Sequence, residues 1–447
     1  MNPRRGRPFR GAAHPEIYTR AGPAVLAAAG RAPTRASDAF PFMDNVTHAL
    51  AGLLLAEATT ALVARRTHAP PAPGFRRAAA VLGVVAAELP DADLLYAGPV
   101  LGMGKLGYLL HHRGHTHTIV FAVVAALVLW GATLALRRAA RAPVEKWALL
   151  ALAMAGTLSH IALDYTNSYG VHPFWPVENA WHYGDAVFIV EPWLWVVALP
   201  PLILAFRRKA VRLALGVALV GILGAAWRVD MVGRGVALAL TIGAVGWSVA
   251  MLAARPARRV PWAIAAWLAV EASFFAASGA ARAELRAAVG ASTARDVVLN
   301  PAVGNPLCFR ALVVQLEGEA YVVASAAVAP LPALRGVARC GGDDVGGLDG
   351  AAMSARPATR GVRWGREWRA PRAGLAALAA TSCVAAAALR FIRVPAWRPA
   401  EEGGTELFDA RYGAGGFADV IAPARPRDCP GPVPPWVPPR RDVLPGG

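Results

Sequence analysis

Apolar residues fall in eight runs along this chain, at roughly 45–63, 78–96, 118–136, 147–165, 187–205, 211–227, 236–253 and 261–279. Each approaches the ~20 residues that a helix needs to cross a bilayer. The runs at 118–136 and 236–253 contain no ionisable residue, whereas those at 45–63, 78–96 and 147–165 carry them near one end. From about Ala281 the pattern changes. "FRALVVQLEGEAYVVASAAV" places two β-branched-rich stretches around a polar break and predicts a hairpin. "AGLAALAATSCVAAAALRFIRVPAW" predicts a buried or amphipathic helix followed by a strand, and "TELFDARYG" a further strand. The expected fold is mainly α: a polytopic transmembrane helical bundle of about eight spans, followed by a small extramembrane α+β domain. In residue numbers, 1–42 is an N-terminal extension expected to be disordered. Residues 43–280 form the membrane domain and 281–425 the α+β domain. The Pro-rich segment 426–447 is expected to be a disordered tail.

Composition supports the membrane reading. Of 447 residues, 56% are hydrophobic and 17% charged, against about 25% charged in soluble proteins. The net charge of +17 raises nucleic-acid binding. The basic residues, however, are scattered through short loops and form no face interleaved with aromatics, so no nucleic-acid partner is expected. Cys308, Cys340, Cys383 and Cys429 make no CxxC pair, which excludes a zinc ribbon. Cys308 and Cys340 are candidates for a disulfide, although spacing does not fix the connectivity.

Cations in short loops mark the cytoplasmic side of a membrane protein. Alternate loops hold Arg65, Arg66, Arg76 and Arg77; Arg137, Arg138, Arg141 and Lys146; Arg207, Arg208, Lys209 and Arg212; and Arg255, Arg258 and Arg259. The opposite loops hold only Lys105, Arg113, Arg228 and Arg234. The first set is therefore expected inside, with the chain after the eighth run extracytoplasmic and the protein in the cytoplasmic membrane. Seven arginines in residues 1–42 conflict with export of that segment, and Met43 opens a new pattern. Met43 is the expected start of the patterned protein.

On this topology four helices deliver His and Asp to one membrane face. Asp44 and His48, and likewise His160 and Asp164, are i, i+4 pairs sharing a helix face. Pro90 breaks the second run and leaves Glu88, Asp91 and Asp93 at its outer end. His111, His112, His115 and His117 lie within seven residues immediately before the third run. Ionisable groups inside an apolar helix are costly and mark function. Mixed His and carboxylate donors suit one or two divalent ions, zinc or manganese first, with iron also compatible. The expected ligands are His48, Asp91, Asp93, His112, His117, His160 and Asp164. Glu57 and Glu271 lie nearer mid-span, outside this cluster, and read as an ion path or as buried packing partners.

The segments "MDNVTHALAG", "LPDADLL", "HRGHTH", "SHIALDYTNSYG" and "DAVFIVEP", spanning 43–192 in this order, resemble the YdjM-like family of membrane-bound metal-dependent hydrolases. The resemblance implies shared polar positions at His48, Asp91, Asp93, His112, Arg113, His117, His160 and Asp164, with Asp185 a weaker addition. Departures are His115, which is extra, Thr118 in place of a serine, and Glu191 in place of an aspartate.

The expected function is a membrane-bound hydrolase with its site at the outer membrane–water interface, acting on a lipid-linked phosphoester or ester. Arg113 is expected to neutralise a phosphate, and a metal hydroxide, Glu88 or Asp93 to act as base. The alternative is a divalent-metal transporter or a non-catalytic metal-binding membrane protein. A transporter predicts polar residues through the full membrane depth.

Overall fold

The structure is a computed structural model, described for residues 43–98, 100–137, 140–290, 294–341, 347–401, 403–416, 418–423 and 431–444. The N-terminal extension expected to be disordered lies outside the described residues. A helix occurs in every one of the eight predicted runs. These are α1 (Met43–Thr67), α2 (Phe75–Glu88), α5 (Ile119–Arg137), α6 (Pro143–Tyr165), α7 (Pro192–Ala205), α8 (Lys209–Arg228), α9 (Arg234–Ala253) and α10 (Pro256–Val289), with the short α3 (Leu94–Ala97) and α4 (Gly104–His111) between α2 and α5.

Six of them, α1, α5, α6, α8, α9 and α10, are long and apolar enough to cross a membrane. The 14-residue α2 and α7 rise only about 21 Å, short of the ~30 Å hydrocarbon core. Proline accounts for both differences from eight full spans. Pro90 follows α2 and forces a 3-10 turn over Leu89–Asp93. Pro192 sits at the first turn of α7, so 187–191 stay outside the helix. The outward faces of α8 and α9 expose Leu213, Val217, Val220, Ile242 and Leu252, which only a lipid environment satisfies.

Small residues set the spacing of the bundle. A Cβ on Gly83 would stand 2.4 Å from the Gly52 carbonyl oxygen, and one on Gly156 would stand 2.7 Å from the Ala86 Cβ. Close approach of α1, α2 and α6 through such residues replaces the hydrophobic drive that lipid cannot supply. His48 lies one turn before Gly52, Ala87 one turn after Gly83, and His160 one turn after Gly156. The same packing therefore sets these three positions at one depth.

At 34 residues, α10 extends about 51 Å and carries the chain out of the bundle. The change in composition at Ala281 falls inside this helix. Ala281 and Leu285 pack on an antiparallel sheet through Val297, Leu299 and Phe309. That sheet has the order β1-β2-β3-β5-β4, from β1 (Ala294–Ala302), β2 (Asn305–Glu317), β3 (Ala320–Val328), β4 (Ala352–Met353) and β5 (Val362–Pro371). The expected hairpin is β2–β3, turning at Gly318 with φ 59°. The expected helix and strand follow as α11 (Arg372–Thr381), α12 (Cys383–Ala388) and β6 (Pro395–Pro399), which pairs with β7 (Thr405–Asp409) and through it β8 (Asp419–Ala422). Cys308 and Cys340 form a disulfide.

This domain shares a core with the end of the bundle that carries α4. Leu106, Leu109 and Leu110 of α4 pack with Tyr169, Trp181, Phe391, Ile392 and Trp436. Arg393 reaches back to Asp185 by paired bonds of 2.8 and 3.0 Å. The Pro-rich tail also departs from expectation, because residues 431–444 are packed rather than disordered. The Trp436 ring is fully buried, its Nε1 donates to Leu110 O at 2.7 Å, and its face stacks on His172 at 3.9 Å. A large aromatic with both its apolar face and its N–H satisfied anchors this segment to the domain core.

Candidate metal centre

Four side chains from three segments converge at one end of the bundle. Asp91 comes from the 3-10 turn after α2, His117 from the loop before α5, and His160 and Asp164 from one face of α6. One donor atom from each lies within 4.8 Å of all the others. His117 Nε2 is 3.3 Å from Asp91 Oδ1 and 3.0 Å from Asp164 Oδ2, and His160 Nε2 is 3.4 Å from each of the same two oxygens. The two Nε2 atoms are 3.1 Å apart.

The outer partners decide which ring nitrogens carry protons. His160 Nδ1 lies 2.5 Å from the Ala87 carbonyl oxygen. That oxygen can only accept, so Nδ1 carries the hydrogen and the neutral ring presents its Nε2 lone pair inward. His117 Nδ1 lies 3.0 Å from Thr116 Oγ1, whose own hydrogen goes to Asp93 Oδ2 at 2.7 Å, so the hydroxyl oxygen accepts from Nδ1 and the Nε2 lone pair again faces inward. Two imidazole lone pairs and two carboxylate oxygens thus face one point. Acceptors facing acceptors are repulsive unless a cation or protons lie between them, and outer acceptors that hold the imidazole tautomers are the usual support of a metal site.

Charge leads to the same conclusion. Asp93, Asp164, His117 and His160 are fully buried, with Asp91 nearly so. Among the described residues the permanent cation within this group of Asp91, Asp93 and Asp164 is Arg113, whose Nη2 is 2.8 Å from Asp164 Oδ1. With neutral imidazoles, two negative charges remain in excess before Glu88 is counted, which is the charge of one divalent ion. Burial resists ionisation of Asp91, but hydrogen bonds from His117 and His160 hold it well below the usual carboxylate range. Burial also disfavours a charged His117, and the bonds to Asp164, Asp91 and Asp93 outweigh it and raise its pKa well above the ordinary value. In the absence of metal, protons thus take the place of the cation.

The other predicted residues form the surroundings of these four. The His48 ring stacks on His160 at 3.8 Å with Nε2 3.4 Å from Asp164 Oδ1. Asp93 and His112 fall with Asp91 in a second group of possible ligands. Both Asp93 oxygens are nevertheless engaged, one by His112 Nδ1 at 2.9 Å, the other by Arg113 N at 3.1 Å and Thr116 Oγ1 at 2.7 Å. Asp93 thereby pins the 112–117 loop, in which Arg113 adopts φ 58°, a conformation costly for a non-glycine residue. The Arg113 guanidinium, expected to await a phosphate, is bound to Asp164 and to Asn167 Oδ1 at 3.1 Å and lies over the Tyr169 ring. Glu88 Oε2 accepts from Asn45, whose amide also donates to Asp91 Oδ2 at 3.0 Å. Glu88 Oε1 is buried without a hydrogen-bond partner among the described residues.

His111 and His115 lie outside the cluster. His111 Nε2 meets Pro432 O at 3.0 Å, and His115 packs on Trp175 and Trp436. Asp185 pairs with Arg282 and Arg393. Glu191 accepts from Trp193 N and Gly304 N, each at 3.1 Å. Asn45, Thr116, Asn167 and Trp436 were not singled out from sequence. Asn45 had a usable signal, since it lies three residues before His48 on the same helix face.

The fold and this cluster define a polytopic membrane protein with a buried His/Asp centre suited to a metal ion. Residues 43–233, which contain every residue of the centre, match the family described as YdjM inner membrane protein, so this stretch of the chain is YdjM-like. The match spans somewhat under half of the 447 residues. No curated protein and no solved structure matches the chain.

Proposed function

We propose that this protein is a metal-dependent hydrolase of the cytoplasmic membrane, with its centre on the extracytoplasmic side. The observation that carries this reading is the convergence of Asp91, His117, His160 and Asp164 with lone pairs directed at one point. The ligand set of two imidazoles and two carboxylates suits zinc or manganese. A divalent ion held there would supply Lewis acidity and lower the pKa of water.

The chain's own residues supply the remaining functions. Glu88, whose Oε2 shares the Asn45 amide with Asp91 and whose Oε1 has no hydrogen-bond partner among the described residues, is the proposed proton acceptor, because a general base needs a free oxygen. Asp93, with both oxygens engaged, serves as a positioning residue, and Arg113 neutralises Asp164. The centre lies at helix ends, where lipid headgroups lie, which favours a lipid-linked phosphoester or ester as substrate. The cation asymmetry of the loops supports the orientation, and the Cys308–Cys340 disulfide suits an oxidising compartment.

Transport is less well supported. Glu57 is paired with Arg76 at 2.9 Å, and Glu271 accepts from Trp267 Nε1 at 2.8 Å. Both deep carboxylates therefore have local partners, with no relay toward the centre among the described residues. The test is turnover of phosphodiester and lipid-linked phosphoester substrates by purified protein, before and after chelation. Activity lost on chelation, restored by zinc or manganese and reduced at least ~100-fold in Glu88→Gln is the expected result. Chelator-insensitive turnover, or none with any ester class, would remove the hydrolase reading.

A further inference from the structure

A second polar site lies in the extramembrane layer. A cavity of about 370 Å³ opens between the loop before α7, the start of β1 and the C-terminal tail. Arg295, Arg393, Arg440 and Arg441 line it, against Glu178 and Asp296. Arg393 is neutralised by Asp185 and Asp296, and Glu178 faces His182 at 3.3 Å. Arg440 is buried. Its Nη2 stands 3.6 Å from Asp296 Oδ2, whereas Nη1 is buried with no hydrogen-bond partner among the described residues. The exposed side chains of Arg295 and Arg441 make no hydrogen bond or ion pair among the described residues. A buried guanidinium nitrogen left unpaired costs free energy unless a ligand satisfies it. Trp181 and Pro439 give the cavity an apolar wall beside these cations.

We infer that this cavity is a phosphate-binding site, with Arg440 Nη1, Arg295 and Arg441 as its ligand-facing donors. Guanidinium forks match phosphate oxygens. Arg440 meets Asp296 and Asp442 at 3.6 and 3.5 Å and donates Nε to Pro439 O, yet keeps Nη1 without a partner, and the side chains of Arg295 and Arg441 carry none among the described residues. The inference does not depend on a metal at the buried centre. Its source is either a free phosphate compound or the headgroup of an anionic phospholipid, since the domain rests on the outer end of the bundle. The cavity wall Val437–Arg441 directly follows Trp436, so an occupant would touch the same strap that packs on His115 and His172.

The test uses the full chain in detergent, delipidated, in two arms. Calorimetric titration with inorganic phosphate reads the free source, and native mass spectrometry with added phosphatidylglycerol or phosphatidylcholine reads the lipid source. Arg295→Gln/Arg441→Gln alters exposed side chains only and preserves the fold. It should weaken whichever ligand binds by at least tenfold, and Arg310→Gln, an exposed arginine on β2, should leave binding unchanged. Phosphate binding alone assigns a soluble ligand. Retention of phosphatidylglycerol over phosphatidylcholine assigns a headgroup. Binding of neither ligand to the unaltered protein, or equal binding by the double variant, overturns the site.

Discussion

His117 Nε2 and His160 Nε2 face each other at 3.1 Å, each with its other ring nitrogen directed at an acceptor outside the pair. Two imidazoles arranged in this way cannot both hydrogen-bond to each other in the neutral form, and Asp91 and Asp164 close the other sides. The arrangement is stable with protons or with a cation between the rings. The proposed metal chemistry rests on the second alternative.

The Gly52–Gly83 approach sets the depth of the centre. Gly83→Ala places a methyl 2.4 Å from a backbone oxygen, so α1 and α2 must separate. Overpacking of this kind costs about 1–3 kcal/mol and should weaken metal binding with it. Gly131→Ala in α5, where a Cβ meets nothing within 4 Å, is the matched control and should be neutral or slightly stabilising. Thermal melts in detergent compare the two, and equal melting temperatures would dismiss the packing argument.

Asp91 and Asp93 should separate in their effects. Asp91→Asn removes an inward oxygen and should abolish binding. Asp93→Asn loosens the loop that carries His117 and should weaken binding by roughly 10–100-fold, the usual range for an outer partner of a ligand. Titration with zinc distinguishes the two outcomes, and a reversed order would make Asp93 the ligand.

Glu191 yields a pH prediction. Burial raises its carboxyl to about 8, against partial relief from the Trp193 and Gly304 amides. The folded state therefore holds this proton more tightly than the unfolded chain does. Its contribution is fully present below the ordinary glutamate pKa and is lost as pH rises toward about 8. The melting temperature of Glu191→Gln should fall less than that of the unaltered protein between pH 5 and about 8. Parallel curves would count against a protonated Glu191.

The side of the membrane can be read at Val177, which is 95% exposed in the loop between α6 and α7. Gly170 in the same loop is unsuitable, because a Cβ there would meet the Tyr183 ring at 2.4 Å. Val177→Cys should react with an impermeant thiol reagent in cells whose outer barrier is open. Reaction only in inverted vesicles would place the centre in the cytoplasm.

The centre was largely legible in sequence because His and Asp inside apolar runs have no packing reason to be there. His160 and Asp164 stood out for that reason, and the i, i+4 spacing put them on one face. Patterning does not reveal partners distant in sequence. Arg113 faces Asp164 across 51 positions, and Trp436 reaches Leu110 across 326. Both depend on how the domains dock. The lengths of α2 and α7 were overestimated because hydropathy windows average across Pro90 and Pro192, whereas the backbone stops there.

The most direct test of the central claim is elemental analysis of detergent-purified protein beside His160→Ala, Asp164→Ala and the double variant. The unaltered chain should carry near-stoichiometric zinc or manganese. Each single variant should insert in the membrane yet lose the ion, with the double variant no worse, because ligands of one site do not act additively. Retention of the full metal content by both single variants would contradict the proposed centre.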